Sequence, residues 1–187
     1  MRRTVLAALA SLPMSACAAD APSSGETRQV GSRSLVAFFS RSGNTRVVAG
    51  LIQRSLGTDL FEIRTASPYP EEYLATVEQA RQERDRSIEP PLERQVANMA
   101  AYDTVYLGFP IWGETTPPVI RTFLKVHDLA GKLLIPFITH GGYGVGNSHS
   151  VLGSHAPDAR LQKGFMMEAD QERKTMERVK GWLEAGS

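Results

Sequence analysis

The stretch Ser40-Arg41-Ser42-Gly43-Asn44-Thr45 packs three side-chain hydroxyls, one amide and one glycine into six positions. Apolar residues then recur at Val47, Val48, Leu51, Ile52 and Leu56 with helical spacing, closed by Gly57. A loop of this kind running straight into a helix offers backbone N–H groups and hydroxyl donors to a single anion, and a phosphate is the natural guest. A helix cap alone would need only one such residue. No lysine follows the glycine, as a Walker loop requires, and the spaced glycines of a dinucleotide fingerprint are missing. Two further loops carry ring-binding residue types. Pro110-Ile111-Trp112-Gly113-Glu114-Thr115-Thr116-Pro117-Pro118 sets a tryptophan between Pro and Gly residues, placed to stack on a planar ligand rather than to fill a core. Thr139-His140-Gly141-Gly142-Tyr143-Gly144-Val145-Gly146 holds four glycines, which let the backbone approach a flat ring. Tyr143 is a second stacking candidate, against the alternative of a surface turn residue. His140 either bonds to such a ring or serves a structural or solvent-facing role. No residue has the setting of an obligatory acid, base or nucleophile.

These loops need a frame that brings them together. Leu35-Val36-Ala37-Phe38-Phe39 is a continuous apolar run, the signature of a strand covered on both faces. Leu60–Ile63, Thr104–Phe109, Leu133–Ile138 and Leu161–Met167 read as four more strands. Between them fall helical patterns at Glu71–Arg86, with Tyr73, Leu74, Val77 and Ala80 inward, and at Val119–Val126. A last helix over Gln171–Glu184 turns Met176, Val179, Trp182 and Leu183 inward. Alternating strands and helices imply a parallel sheet with right-handed crossovers, a three-layer doubly wound α/β domain of five strands. Such sheets bind ligands outside the C-terminal ends of their strands, where the strand order reverses, and the loops after strands one, three and four lie there.

Composition narrows the function classes. The 187 residues carry 21 Lys+Arg against 20 Asp+Glu, so no excess of positive charge favours nucleic acid. One cysteine excludes a disulfide framework within the chain, and four histidines without metal-ligand spacing argue against a dedicated metal site. Residues 1–18 have the n-region (Arg2, Arg3), apolar run (Val5–Leu12) and small-residue end of an export signal; the run is shorter than the roughly 20 residues a membrane span needs. Ala16-Cys17-Ala18 reads as a cleavage site, and Met14-Ser15-Ala16-Cys17 as a lipobox that would lipidate Cys17, with residues 19–33 as a flexible tether to a single domain at 34–187. Removing residues 1–18 takes two arginines and no acid, leaving 19 basic groups against 20 acidic, a net charge of −1.

The three loops together resemble the flavodoxin family. The resemblance rests on Ser40-Arg41-Ser42-Gly43-Asn44-Thr45, on Tyr102-Asp103 leading into Gly108-Phe109-Pro110-Ile111-Trp112, and on Thr139-His140-Gly141-Gly142, and it covers Ser34 to the C-terminus. It implies strand order 2-1-3-4-5 and FMN as cofactor. It further implies that Ser40, Ser42, Asn44, Thr45 and the N–H of Gly43, with Arg41 in the same loop, hold the phosphate. Pro110, Ile111 and Trp112, with Gly113 beside them, would line one side of the isoalloxazine, and the Thr139, His140, Gly141, Gly142, Tyr143, Gly144 loop its other edge. The chain departs from the family in following Trp112 with Gly113 rather than a second tryptophan, in placing Pro136 within an interior strand, and in lacking a strongly acidic surface. The expected function is electron transfer by an exported, periplasmic or lipid-anchored flavoprotein, with a redox partner protein or a small-molecule acceptor. The alternatives are an FMN-dependent NAD(P)H:quinone or flavin oxidoreductase, which export would deprive of its nicotinamide donor, and a non-redox binding scaffold.

Overall fold

The computed structural model describes residues 33–169 and 172–185; the export-signal segment, the tether up to residue 32, Gln171 and the Met176 side chain lie outside the described residues. In chain order the elements are β1 (Ser34–Phe38), α1 (Asn44–Leu56), β2 (Asp59–Glu62), α2 (Tyr73–Asp85), β3 (Thr104–Pro110), α3 (Pro118–Val126), β4 (Leu133–His140), α4 (Ser148–His155), β5 (Arg160–Leu161), β6 (Phe165–Glu168) and α5 (Glu172–Ala185), with a short 3₁₀ turn at Met99–Ala101 before β3. All pairings in the sheet are parallel, and its order is β2-β1-β3-β4-β5, with β6 also on β4.

The apolar run of β1 is continuous because both faces of that strand are covered. Successive side chains alternate sides. Leu35, Ala37 and Phe39 join a core closed by Val119, Ile120 and Phe123 of α3 and Leu152 of α4. Val36 and Phe38 join a second core closed by Val48, Ala49 and Ile52 of α1, with Val179 of α5 and the partly buried Trp182 and Leu183. Each fully buried aliphatic or aromatic side chain in these cores contributes about 1.5–3 kcal/mol of transfer free energy. Between the cores, Gly108 of β3 makes a close approach: a Cβ there would sit 2.1 Å from the Phe137 ring of β4.

The expected fifth strand is split. Leu134 pairs with Leu161, but Phe137 pairs with Phe165, so the outer strand carries one residue more than β4 over this interval. The bulge sits opposite Pro136. The Leu134 carbonyl accepts from Gln162 N–H at 2.9 Å, so Pro136, two residues on, turns the same edge outward and has no N–H to offer. Gly164 closes the gap at φ 71°, and a Cβ there would lie 2.0 Å from the Pro136 carbonyl oxygen. The proline is thus accommodated by its neighbour, not by leaving the sheet.

Two helices depart from expectation. α4, over Ser148–His155, has no counterpart among the helices expected from the sequence, because its apolar pattern is weak; Leu152 is its fully buried apolar side chain. α2 exists where expected, but its Tyr73, Leu74 and Val77 are 64%, 70% and 45% exposed, and the residues it buries are Thr76 and Glu83. The helix is held by polar devices. The Glu72 carboxylate caps its start, accepting from Leu74 N–H at 2.9 Å and from Ala75 N–H at 2.5 Å, and these bonds lower the Glu72 pKa. The Glu83 carboxylate accepts from Tyr69 Oη at 2.7 Å and from Gln79 Nε2 at 2.8 Å. A helix anchored this way can turn its apolar stripe toward something other than the core.

Candidate functional site

The parallel register brings three strand ends together. Phe38 pairs with Gly108, and Pro110 with Thr139, so the loops after β1, β3 and β4 open side by side where the chain reverses its strand order. Gly43, at φ 97°, makes the left-handed bend that ends the first loop, with its N–H donating to Ser40 Oγ at 3.2 Å. The first intrahelical bond of α1 runs from Val47 N–H to the Gly43 carbonyl, which leaves the N–H groups of Asn44, Thr45 and Arg46 pointing out of the helix start.

The second loop is a tight turn. Trp112 and Thr115 exchange backbone bonds of 3.1 and 3.3 Å, and both central residues lie in the left-handed region, Gly113 at φ 57° and Glu114 at φ 62°. Glycine adopts this freely; Glu114 holds a conformation that costs about 1–2 kcal/mol in a non-glycine residue. The Trp112 ring stands edge-on to Phe39 at 5.1 Å and to Tyr69 at 4.9 Å. Burial, then the bond to Glu83, raise the Tyr69 pKa far above its ordinary value, so the phenol remains a donor and keeps Tyr69 and Trp112 in register.

These loops frame a cavity of about 440 Å³, within the range of small-ligand sites. Arg41, Ser42 and Asn44 line one end, Pro110, Ile111, Trp112 and Gly113 the floor, and Thr139, His140 and Gly141 one side. The opposite side is α2, through Tyr73, Thr76, Val77, Ala80, Arg81 and Arg84. The stripe read as core is therefore a wall of the cavity. Its spacing at 73, 77, 80 and 84 was visible in the sequence, and the arginine ending it was the signal that it does not face a core. Among the described residues the lining has three arginines and no carboxylate.

The expected residues divide. Ten of them line the cavity, whereas Ser40, Gly43, Thr45, Gly142, Tyr143 and Gly144 do not. Ser40 shapes the loop through Gly43. Thr45 is 1% exposed, and its hydroxyl pairs with that of Thr139 at 2.9 Å, joining the first loop to the third. Arg41 reaches across to α2, with Nη2 donating to the Glu71 carbonyl at 2.8 Å and the guanidinium over the Tyr73 ring at 5.5 Å. His140 Nδ1 accepts from Gly142 N–H at 3.2 Å, which commits that nitrogen to holding the loop. Tyr143 is 87% exposed and belongs to a neighbouring pocket.

The residues present fit a flat cofactor with a phosphate: outward N–H groups, Ser42 and Asn44 at one end, an aromatic floor, and a cationic lining. The comparisons agree. A protein from Bacteroides eggerthii, a presumptive flavoprotein, is 31% identical, with 83% of this chain and 98% of that chain covered and a TM-score of 0.71. A similar protein from Bacteroides uniformis is 30% identical over 80% of this chain and 99% of that one, with a TM-score of 0.66. A flavoprotein from Lactobacillus acidophilus, solved in complex with FMN, is 18% identical over 79% and 99%, with a TM-score of 0.64, and shares the fold. No curated protein sequence matches the chain. A family model described as flavodoxin matches residues 33–186, and the chain belongs to the flavodoxin family.

Proposed function

We propose that this chain binds FMN in the cavity between α2 and the three loops and acts in electron transfer. The observation that carries this is the pairing of a phosphate-type loop with a cavity of about 440 Å³ that has a tryptophan floor and arginines but no carboxylate among its described lining residues. Ser42, Asn44 and the N–H groups at the start of α1 would hold the phosphate, and Trp112 with Tyr73 and Val77 would enclose the ring. FMN, when bound, supplies reversible one- and two-electron redox chemistry; the protein orients it, keeps water off and sets the charge around it. His140, with Nδ1 engaged by Gly142, is a positioning residue of the third loop.

A second reading, FMN-dependent reduction of a small molecule, is favoured by one observation. Tyr143 stands away from the cavity, so the third loop brings no aromatic ring over it. The electron-transfer proposal also includes export, with Cys17 as the lipid-bearing residue and a protein or small-molecule redox partner outside the cytoplasm. Titration of the apoprotein with FMN tests the core of the proposal. One-to-one uptake with quenching of tryptophan fluorescence is expected, and a colourless protein that takes up no FMN overturns it in favour of a scaffold. Stopped-flow reduction separates the two redox readings: slow bleaching by NADH and NADPH is expected of a carrier, and rapid bleaching with turnover on a quinone establishes the reductase.

A further inference from the structure

Beside the cavity, and joined to it at Arg84 and Gly113, lies a second pocket of about 430 Å³. Its walls are the end of α2, the Gly113–Thr115 turn, Arg121 of α3, and the loop carrying Tyr143 and Asn147. The two loops are clasped: a Cβ at Gly146 would meet the Glu114 carbonyl oxygen at 1.8 Å, and Asn147 N–H donates to that same carbonyl at 3.3 Å. The strained turn is thus held in place by its neighbour, and it forms the sill between the two spaces.

The polar groups around this pocket are under-used. Arg121 donates from Nη2 to Thr115 Oγ1 at 3.1 Å, but its Nε is buried with no partner, and no carboxylate pairs with it among the described residues. Buried polar atoms of this kind are rare in folded proteins, and this one belongs to a guanidinium that lines the pocket. The sign of the charge follows. Arg84 has one contact with Asp85, at 3.3 Å between partly exposed groups, worth little in water. Two guanidiniums against the exposed Glu114 carboxylate leave room for one negative charge. The ring of Tyr143, 87% exposed at the rim, offers a stacking face that a bare inorganic anion would leave uncovered.

We propose that this pocket is a binding subsite for a small aromatic molecule carrying one carboxylate or sulfonate, its anionic end on Arg121 and Arg84 and its ring at Tyr143, reaching the cofactor cavity across Gly113. The proposal rests on the flavin reading for its redox meaning and on the pocket alone for its binding.

Equilibrium dialysis of the folded chain, with and without FMN, against anthraquinone-2-sulfonate and the neutral 2-(hydroxymethyl)anthraquinone tests it. The sulfonate should bind about tenfold tighter or more, as expected for hydrogen bonds to a charged group. Arg121→Met should erase that preference and Arg121→Lys retain part of it. Asn147→Asp changes only an exposed side chain at the start of α4, where an acidic residue suits the helix; it should weaken the sulfonate several-fold and spare the neutral probe. Tyr143→Ala should weaken both probes alike. Equal binding of the two probes to the wild type, or a preference that survives both Arg121→Met and Asn147→Asp, overturns the subsite. A chain that takes up no FMN yet keeps the sulfonate preference overturns the flavin reading, and the redox role of the pocket with it, while leaving the anion subsite standing.

Discussion

Ser42 and Thr45 stand three residues apart in one loop, and the structure sends their hydroxyls to different tasks. Ser42 is exposed and lines the cavity, whereas Thr45 is 1% exposed and spends its hydroxyl on Thr139, itself 3% exposed. Ser42→Ala should therefore remove a donor to the phosphate and nothing else. Hydrogen bonds to charged groups are worth about 1.5–3 kcal/mol, which corresponds to roughly a 10- to 150-fold rise in the Kd for FMN. Thr45→Ala instead strands a buried Thr139 hydroxyl, at a cost of about 1–3 kcal/mol to folding. Two assays separate these effects. Fluorescence titrations with FMN and with riboflavin, which lacks the phosphate, should show Ser42→Ala weakening FMN alone. Urea unfolding should show Thr45→Ala losing stability, with any weakening shared by the two ligands. Equal loss of FMN and riboflavin binding in Ser42→Ala, or a phosphate-selective loss in Thr45→Ala at unchanged stability, would refute the division of labour.

Gly108→Ala should destabilise the fold by about 1–3 kcal/mol or more, because the new methyl would meet the Phe137 ring at 2.1 Å; a urea midpoint equal to wild type contradicts this packing. His127 is buried, its Nε2 accepts from Val96 N–H at 3.0 Å, and Nδ1 donates to the Phe123 carbonyl at 2.8 Å, an arrangement open only to the neutral ring. Burial lowers its pKa below 6.5, the hydrogen bond to Phe123 only partly opposing. The unfolded chain then binds the proton first, so stability should fall as pH drops through about 6.5 toward the folded-state value, by at most about 1.4 kcal/mol per pH unit. His127→Gln should flatten that slope in thermal melts between pH 7 and 5, and an unchanged slope would assign it to other groups. Cys17→Ser should abolish fatty-acid labelling and release the protein from the membrane fraction; an unlabelled, soluble wild type would favour cleavage after Ala18.

The fold was legible because it follows from local patterns. A continuous apolar run at Leu35–Phe39 requires cover on both faces, and helices between the strands require parallel crossovers, so the layers follow from periodicity. The three binding loops were legible from their density of hydroxyl, amide and glycine residues and from the loop tryptophan, and the topology places the loops after parallel strands at one end of the sheet. The break opposite Pro136 was half visible, since a proline in an interior strand demands a remedy, but the remedy, Gly164, lies 28 residues away.

What the tertiary structure decided is direction. The stripe at Tyr73, Val77, Ala80 and Arg84 has the spacing of a core-facing helix, and spacing cannot say whether the facing surface is a core or a cavity wall. Polar anchors at Glu72, Tyr69 and Glu83 fix that orientation; all three lie in or beside the helix in sequence, but spacing does not say which of them pair. The uses of equivalent hydroxyls were hidden in the same way: Thr45 and Thr139 are 94 residues apart and meet only because β1, β3 and β4 lie side by side. Sequence determines which groups a loop offers and which period an element has. Long-range pairing decides which of those groups are consumed inside the fold and which remain for a ligand, because a buried polar atom takes whatever partner the packing brings within reach.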